Sequence, residues 1–214
     1  MKKIVFFDLD GTLLEGMNAE NSFFLYLLKK KRIKAEQFFA AFKFITCNFI
    51  RYKHFVFIKN KAYLKGLEFD EISFLAEEFV TKNLLAKIRV RIHKLVDVHR
   101  DSGDKLVLLT GAPEFIARHF AAYLKIDELY ATKCVVKNNH FTDRSPLVHP
   151  FDQEKLTIAA DVCRNYNSPL KESTAYGNSF YDRFLLRKVG HPVAVTPDKL
   201  LLMIAKKHKW EILL

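Results

Sequence analysis

Ile4-Val5-Phe6-Phe7, followed at once by Asp8-Leu9-Asp10-Gly11-Thr12-Leu13, constrains this chain more than any other stretch. Four consecutive apolar residues suit a strand covered on both faces, the kind found in parallel sheets. The run stops at two carboxylates two residues apart, and residues i and i+2 of an extended chain face the same side. Gly11 permits a tight exit, leaving both side chains and the Leu9 and Asp10 backbone free to meet a ligand. Asp-Gly after a strand is also ordinary turn chemistry. The pair acquires chemical meaning only from partners elsewhere in the chain.

Beyond residue 100 the pattern alternates. Lys105 to Thr110 predicts a second buried strand, and Pro113 opens a helix through Lys125 as a first-turn proline should. Thr132 to Val136 and His140 to Thr142, joined by Asn138-Asn139, predict a hairpin. A helix over Lys155 to Cys163, a strand over Ser173 to Tyr176, a helix over Tyr181 to Lys188, a strand over Pro192 to Val195 and a helix over Asp198 to His208 follow. This alternation predicts an α/β fold, a doubly wound parallel sheet with right-handed crossovers and ligands at the carboxyl ends of its strands. Between the first two strands the spacing is helical throughout: Ser22 to Lys31, Ala35 to Ile58, Glu71 to Phe79, and a long helix over Leu84 to Arg100 stopped by Ser102-Gly103.

A chain of 214 residues, half of them apolar, buries one full core and a smaller accessory unit. Cys47, Cys134 and Cys163 stand far apart, which excludes a disulfide framework and a zinc site and predicts buried thiols in a reducing compartment. Met1-Lys2-Lys3 and the apolar run imitate a secretory leader, but Asp8 and Asp10 interrupt it, so the expected location is the cytoplasm. The net charge of +11 is concentrated: Ser22 to Lys65 carries eleven cations against one carboxylate, Glu36. A composition boundary near residue 15 follows, separating a basic, aromatic-rich insert from a nearly neutral body. None of the eight histidines has zincin spacing.

Asp8-Leu9-Asp10-Gly11-Thr12, then Leu108-Leu109-Thr110-Gly111, then Lys155 opening a helix, then Gly177-Asn178-Ser179-Phe180-Tyr181-Asp182, resembles the four ordered motifs of the haloacid dehalogenase-like phosphatases. The stretch Val189 to Asp198 and Trp210 resemble the phosphoserine-phosphatase-like branch. The resemblance implies a Rossmann-like three-layer core over residues 1–14 and 85–214, with an α-helical cap over 15–84 inserted between the first two motifs. It implies a Mg²⁺-dependent phosphomonoester hydrolase in which Asp8 attacks phosphorus and Asp10, its side chain mobile, serves as acid and base. Thr110, Gly111 and Lys155 would bind the phosphoryl group, with Thr110 and Lys155 also counted as catalytic. The metal would be held by Asp8, the Asp10 carbonyl, Asn178 and Asp182. A non-catalytic protein keeping this fold, and a phosphotransferase, are the rival readings.

Two positions depart from the family pattern. The fourth motif usually begins with a metal-binding aspartate, and this chain has Asn178, a neutral carbonyl donor that predicts weaker magnesium affinity. Phosphoserine phosphatases place an amine-binding glutamate nine residues after the nucleophile, and here that residue is Met17, with Glu15 and Glu20 out of register. Phosphoserine is therefore a poorer expectation than the overall resemblance suggests, and the expected partner is a phosphorylated small molecule or a lipid head group. Phe38 to Ile50 is strongly apolar but too short and too charged to span a bilayer, which takes about 20 apolar residues. Its aromatics either form the cap's own core with lysines at the rim, or meet an anionic membrane surface at the inner face of the membrane. No nucleic-acid motif accompanies the charge, which places nucleic acid behind both.

Overall fold

In a computed structural model, which describes residues 3–16 and 18–214, a six-stranded sheet is built around the first apolar run. Strands β1 (Ile4–Phe7), β2 (Lys105–Pro113), β3 (Glu128–Thr132), β6 (Thr174–Gly177), β7 (His191–Val195) and β8 (Glu211–Leu213) lie in the order β3-β2-β1-β6-β7-β8; β4 (Val136–Lys137) and β5 (His140–Phe141) pair apart from it. Every pairing in the six-stranded sheet is parallel. β1 is central and wholly buried: Val5 and Phe7 join one apolar cluster, Ile4 and Phe6 the cluster on the opposite face. Alternate residues thus feed two cores, which is why the run has no polar member. Helices α5 (Val90–Asp101) and α6 (Glu114–Tyr123) cover the first face, and α7 (Gln153–Asn165), α8 (Arg183–Leu186) and α9 (Lys199–His208) cover the second. The α/β doubly wound architecture is as the alternation predicts.

Between β1 and α5 lie α1 (Ala19–Lys29), α2 (Ala35–Tyr52), α3 (Val56–Lys59) and α4 (Phe69–Phe79). Phe23 and Leu27 of α1 and Ile72, Ala76 and Phe79 of α4 belong to the main core cluster. By contrast, α2 and α3 rest on a small cluster of their own, Ala40, Phe44, Val56 and Ala62. The chain enters and leaves this helical insert by adjacent segments, with Leu14 bridging Ile88 in antiparallel fashion and the Arg89 N–H donating to the Leu13 carbonyl at 2.8 Å.

Several expectations need correction. The long helix over Leu84 to Arg100 does not form: Val80–Leu84 is a wide π turn, Leu85–Lys87 a 3₁₀ turn, Ile88 is extended, and α5 begins only at Val90. Helix α2 stops at Tyr52, where Lys53 takes φ 49°, rather than continuing to Ile58. The hairpin is only β4 and β5, with Asn138 and Asn139 at positive φ as a two-residue turn requires, while Thr132 belongs to the main sheet. Cys163 is buried but Cys47 is exposed, contrary to the expectation of three buried thiols.

Candidate active site

The motif residues converge at the carboxyl ends of β1, β2 and β6, around a cavity of about 660 Å³ lined by Asp8, Asp10, Gly11, Thr110, Gly111, Lys155, Asn178 and Asp182. β1 delivers Asp8 directly from its last rung, its N–H donating to the Tyr176 carbonyl at 3.0 Å. Gly11 turns the chain at φ 82°, and a Cβ there would lie 2.0 Å from Asn178 Nδ2, so only glycine admits the Asn178 amide. The β2 ladder shifts register between Leu109 and Pro113, and Thr110 and Gly111 occupy that irregularity. Lys155 comes from the first turn of α7, and its side chain is almost wholly buried.

Lys155 Nζ donates to Asp8 Oδ1 at 2.7 Å and to Asp182 Oδ1 at 2.6 Å. Burial works against its charge, but the Asp182 and Asp8 carboxylates outweigh burial and hold the ammonium above the ordinary lysine range. Asp182 Oδ2 accepts from the Asn178 and Ser179 N–H groups, at 3.1 and 3.0 Å. Both oxygens of Asp182 are thus engaged by protein donors. Thr12 Oγ1 donates to Asp8 Oδ2 at 3.0 Å and lies 3.4 Å from Asn178 Oδ1, a role that its i+4 position after Asp8 left unread. Burial, opposed by Lys155 and assisted by Asp182, raises the Asp8 carboxyl to about 6.

Both oxygens of Asp10 accept hydrogen bonds. Its Oδ1 accepts from the Ala19 N–H at 2.7 Å and its Oδ2 from Asn18 Nδ2 at 2.9 Å, at the amino end of α1. Burial raises it to about 7, with Asp8 and Glu20 adding to the rise and the Ala19 N–H opposing it. The opposite wall of the cavity comes from the insert and was not legible in the chain. There Lys61 Nζ contacts Glu20 Oε2 at 2.6 Å and the Ile58 carbonyl at 3.0 Å, and the Tyr63 hydroxyl donates to Glu20 Oε1 at 2.9 Å. Lys61 is one cation in a segment crowded with them, so nothing in the sequence marks it. Glu20 is already paired; Met17 lies outside the described residues.

Asp8 and Asp182 flank the Lys155 ammonium and Asp10 lines the same cavity, so carboxyl groups outnumber the one cation and a divalent cation would offset the excess. No group of three His, Cys, Asp or Glu side chains forms a metal cluster among the described residues, so amide and main-chain oxygens must complete any such site. The Asn178 amide turns its nitrogen over Gly11 and its oxygen toward Thr12, the residue that also bonds Asp8. An all-oxygen set of this kind fits Mg²⁺.

A family model described as haloacid dehalogenase-like hydrolase matches residues 5–187. The chain is 28% identical over 156 residues to a phosphoserine phosphatase of Mycobacterium tuberculosis, covering 72% of this chain and 50% of that protein. It is 24% identical over 224 residues to a histidinol-phosphatase of Neisseria meningitidis, covering 100% of this chain and 99% of that protein. The chain spans about half the length of this phosphoserine phosphatase and of two mycobacterial hydrolases that it matches equally well in identity. A protein of unknown function from Bordetella pertussis shares the fold, with a TM-score of 0.81 and 22% identity over 100% of this chain and 99% of that one.

Proposed function

The chain belongs to the haloacid dehalogenase-like hydrolases, and from that premise we propose that it is a Mg²⁺-dependent phosphomonoesterase acting through an aspartyl-phosphate on Asp8. The observation that carries this reading is the Asp8–Lys155–Asp182 arrangement beside Asp10, at the strand ends and open to one cavity. Asp8 attacks phosphorus as the ester P–O bond breaks, and the Asp10 proton goes to the leaving alkoxide. A water then attacks the phosphorus of the acyl phosphate, Asp10 takes its proton, the bond between the Asp8 oxygen and phosphorus breaks, and free phosphate leaves with the Asp8 carboxylate restored. An Asp10 carboxyl raised to about 7 suits both duties near neutrality. Thr110 Oγ1 accepts from the Ala112 N–H at 3.1 Å, which leaves its own hydrogen free to donate to a phosphoryl oxygen. Lys155 supplies the fixed cation, and Asp182 positions both Lys155 and the Asn178 turn. Asp8, the Asp10 carbonyl and Asn178 would hold Mg²⁺, with Asp182 contributing through water; when bound, the ion offsets the repulsion between carboxylate and phosphate dianion.

The helical insert over residues 15–84 acts as the cap that selects the leaving group. A substrate such as those named for the relatives, a phosphorylated amino acid or amino alcohol, would meet Glu20 already neutralised by Lys61. Asn18, Asn21, Phe24, Phe57, Tyr63, Phe151 and Tyr181 favour instead a leaving group with an apolar or aromatic body and hydroxyl groups. The test is phosphate release from an aryl phosphate. Release that requires Mg²⁺ and is lost at least about 10³-fold in Asp8→Asn supports the reading. Full activity in Asp8→Asn, or transfer to an added alcohol in place of phosphate release, overturns it.

A further inference from the structure

The outward side of α2 is apolar. At 100° per residue, Phe38, Phe49, Phe42, Phe39 and Ile50 fall within one arc of about 120°, and all five are exposed, Phe39 at 73% and Ile50 at 92%. The opposite side of the same helix, Gln37, Ala40 and Phe44, packs inward. Phe38 to Ile50 therefore serves the insert's own core only through Ala40, Phe44 and half-buried Ile45. The one polar residue inside the outward arc, Thr46, gives its hydroxyl to the Lys43 carbonyl at 2.9 Å. Five large apolar side chains thus face solvent with no spare hydrogen-bonding group among them.

Cations surround this face. Lys29, Lys30, Lys31 and Lys34 precede α2, Lys43 borders the arc and Lys53 follows the helix, all exposed, while Arg51 in the last turn stands on the opposite side; Glu36 is the only carboxylate on the helix. We propose that α2 docks on an anionic lipid bilayer, its phenylalanines entering the head-group boundary while the flanking lysines meet lipid phosphates. A second copy of the chain would bring the same cationic belt against itself. A protein interface would need directional polar contacts, and the arc offers none. The docked face adjoins the cavity: Phe24, which lines it, stacks edge-on against Phe38 at 6.3 Å, and exposed Phe57 lines its mouth.

Flotation with vesicles tests this without any turnover. The wild type is expected to float with phosphatidylglycerol/phosphatidylcholine vesicles and not with pure phosphatidylcholine. The Phe39→Ser/Phe42→Ser/Ile50→Ser variant, with unchanged circular dichroism and melting, is expected to partition at least about tenfold less. Replacing Lys34 and Lys43, which flank the arc, by glutamine should weaken binding to the anionic vesicles and make what remains less sensitive to salt. Equal flotation of the triple-serine variant and the wild type would reduce the effect to bulk charge and overturn the proposal. So would absence of flotation, or lipid-free self-association of the wild type that the triple variant abolishes.

Discussion

At the scale of single residues, charge decides. Asp8 and Asp10 lie where a dianionic ester would have to arrive, and the Lys155 ammonium is bonded to Asp8 there. In the proposed donor set Asn178 occupies a position where a carboxylate would add a negative charge, so the set would hold a divalent cation less tightly than one with aspartate there. Asn178→Asp is therefore expected to lower the Mg²⁺ concentration giving half-maximal phosphate release by roughly tenfold, read from a magnesium titration at fixed substrate. An unchanged magnesium requirement would remove Asn178 from the ligand set. The residues named from the motifs, Asp8, Asp10, Thr110, Gly111, Lys155, Asn178 and Asp182, were legible because they stand at strand ends or in the first turns beyond them, or open a helix. Strand ends on one edge of a parallel sheet meet in space wherever they stand in sequence. The Lys61–Glu20–Tyr63 wall was not legible, because it depends on how separate segments of the insert pack and no periodicity encodes that meeting.

At the scale of elements, the irregular joints are where the chain misled. Leu84, Ile88, Ile92 and Val96 keep helical spacing through a segment whose first half is a π turn, a 3₁₀ turn and an extended bridge in succession. All four side chains are buried, so the core accepts the pattern although the backbone pairs Ile88 with Leu14. β8 is not legible either, because three residues, Glu211 to Leu213, carry no alternation long enough to read. A joint that is regular but hidden ties β2, β3 and the approach to α7. Thr132 Oγ1 donates to the Gly111 carbonyl at 2.6 Å and so accepts from His149 Nδ1 at 2.8 Å. His149 Nε2 is buried without a partner among the described residues. Burial, with Lys61, Lys59 and Lys155 nearby, depresses the ring to about 3. An unfolded chain takes up this proton near pH 6.5, so between about 6.5 and 3 the unfolded state binds more protons and stability falls as pH falls. The melting temperature of the wild type should therefore drop further between about pH 7 and pH 4.5 than that of His149→Asn, compared by calorimetry. Parallel curves would show that His149 does not titrate on unfolding.

At the scale of the whole molecule, the sheet and the insert divide the work. The sheet and α7 bring Asp8, Asp10 and Lys155, the proposed nucleophile, proton carrier and cation, together at the carboxyl ends of the strands. The insert closes the cavity with Asn18, Lys61 and Tyr63, and turns the exposed phenylalanines of α2 outward. Concentrating eleven cations in Ser22 to Lys65 leaves the body nearly neutral, so long-range attraction to an anionic surface would act on the cap side and orient the cavity mouth toward it. The proposed reaction, however, rests on one bond, between Asp8 and phosphorus. Acid quenching during turnover of an aryl phosphate, followed by peptide mass spectrometry, should find one added phosphoryl group on the peptide containing Asp8, lost on hydroxylamine treatment and absent in Asp8→Asn. Steady phosphate release with no phosphoryl group on that peptide, or with the group on another residue, would contradict the account.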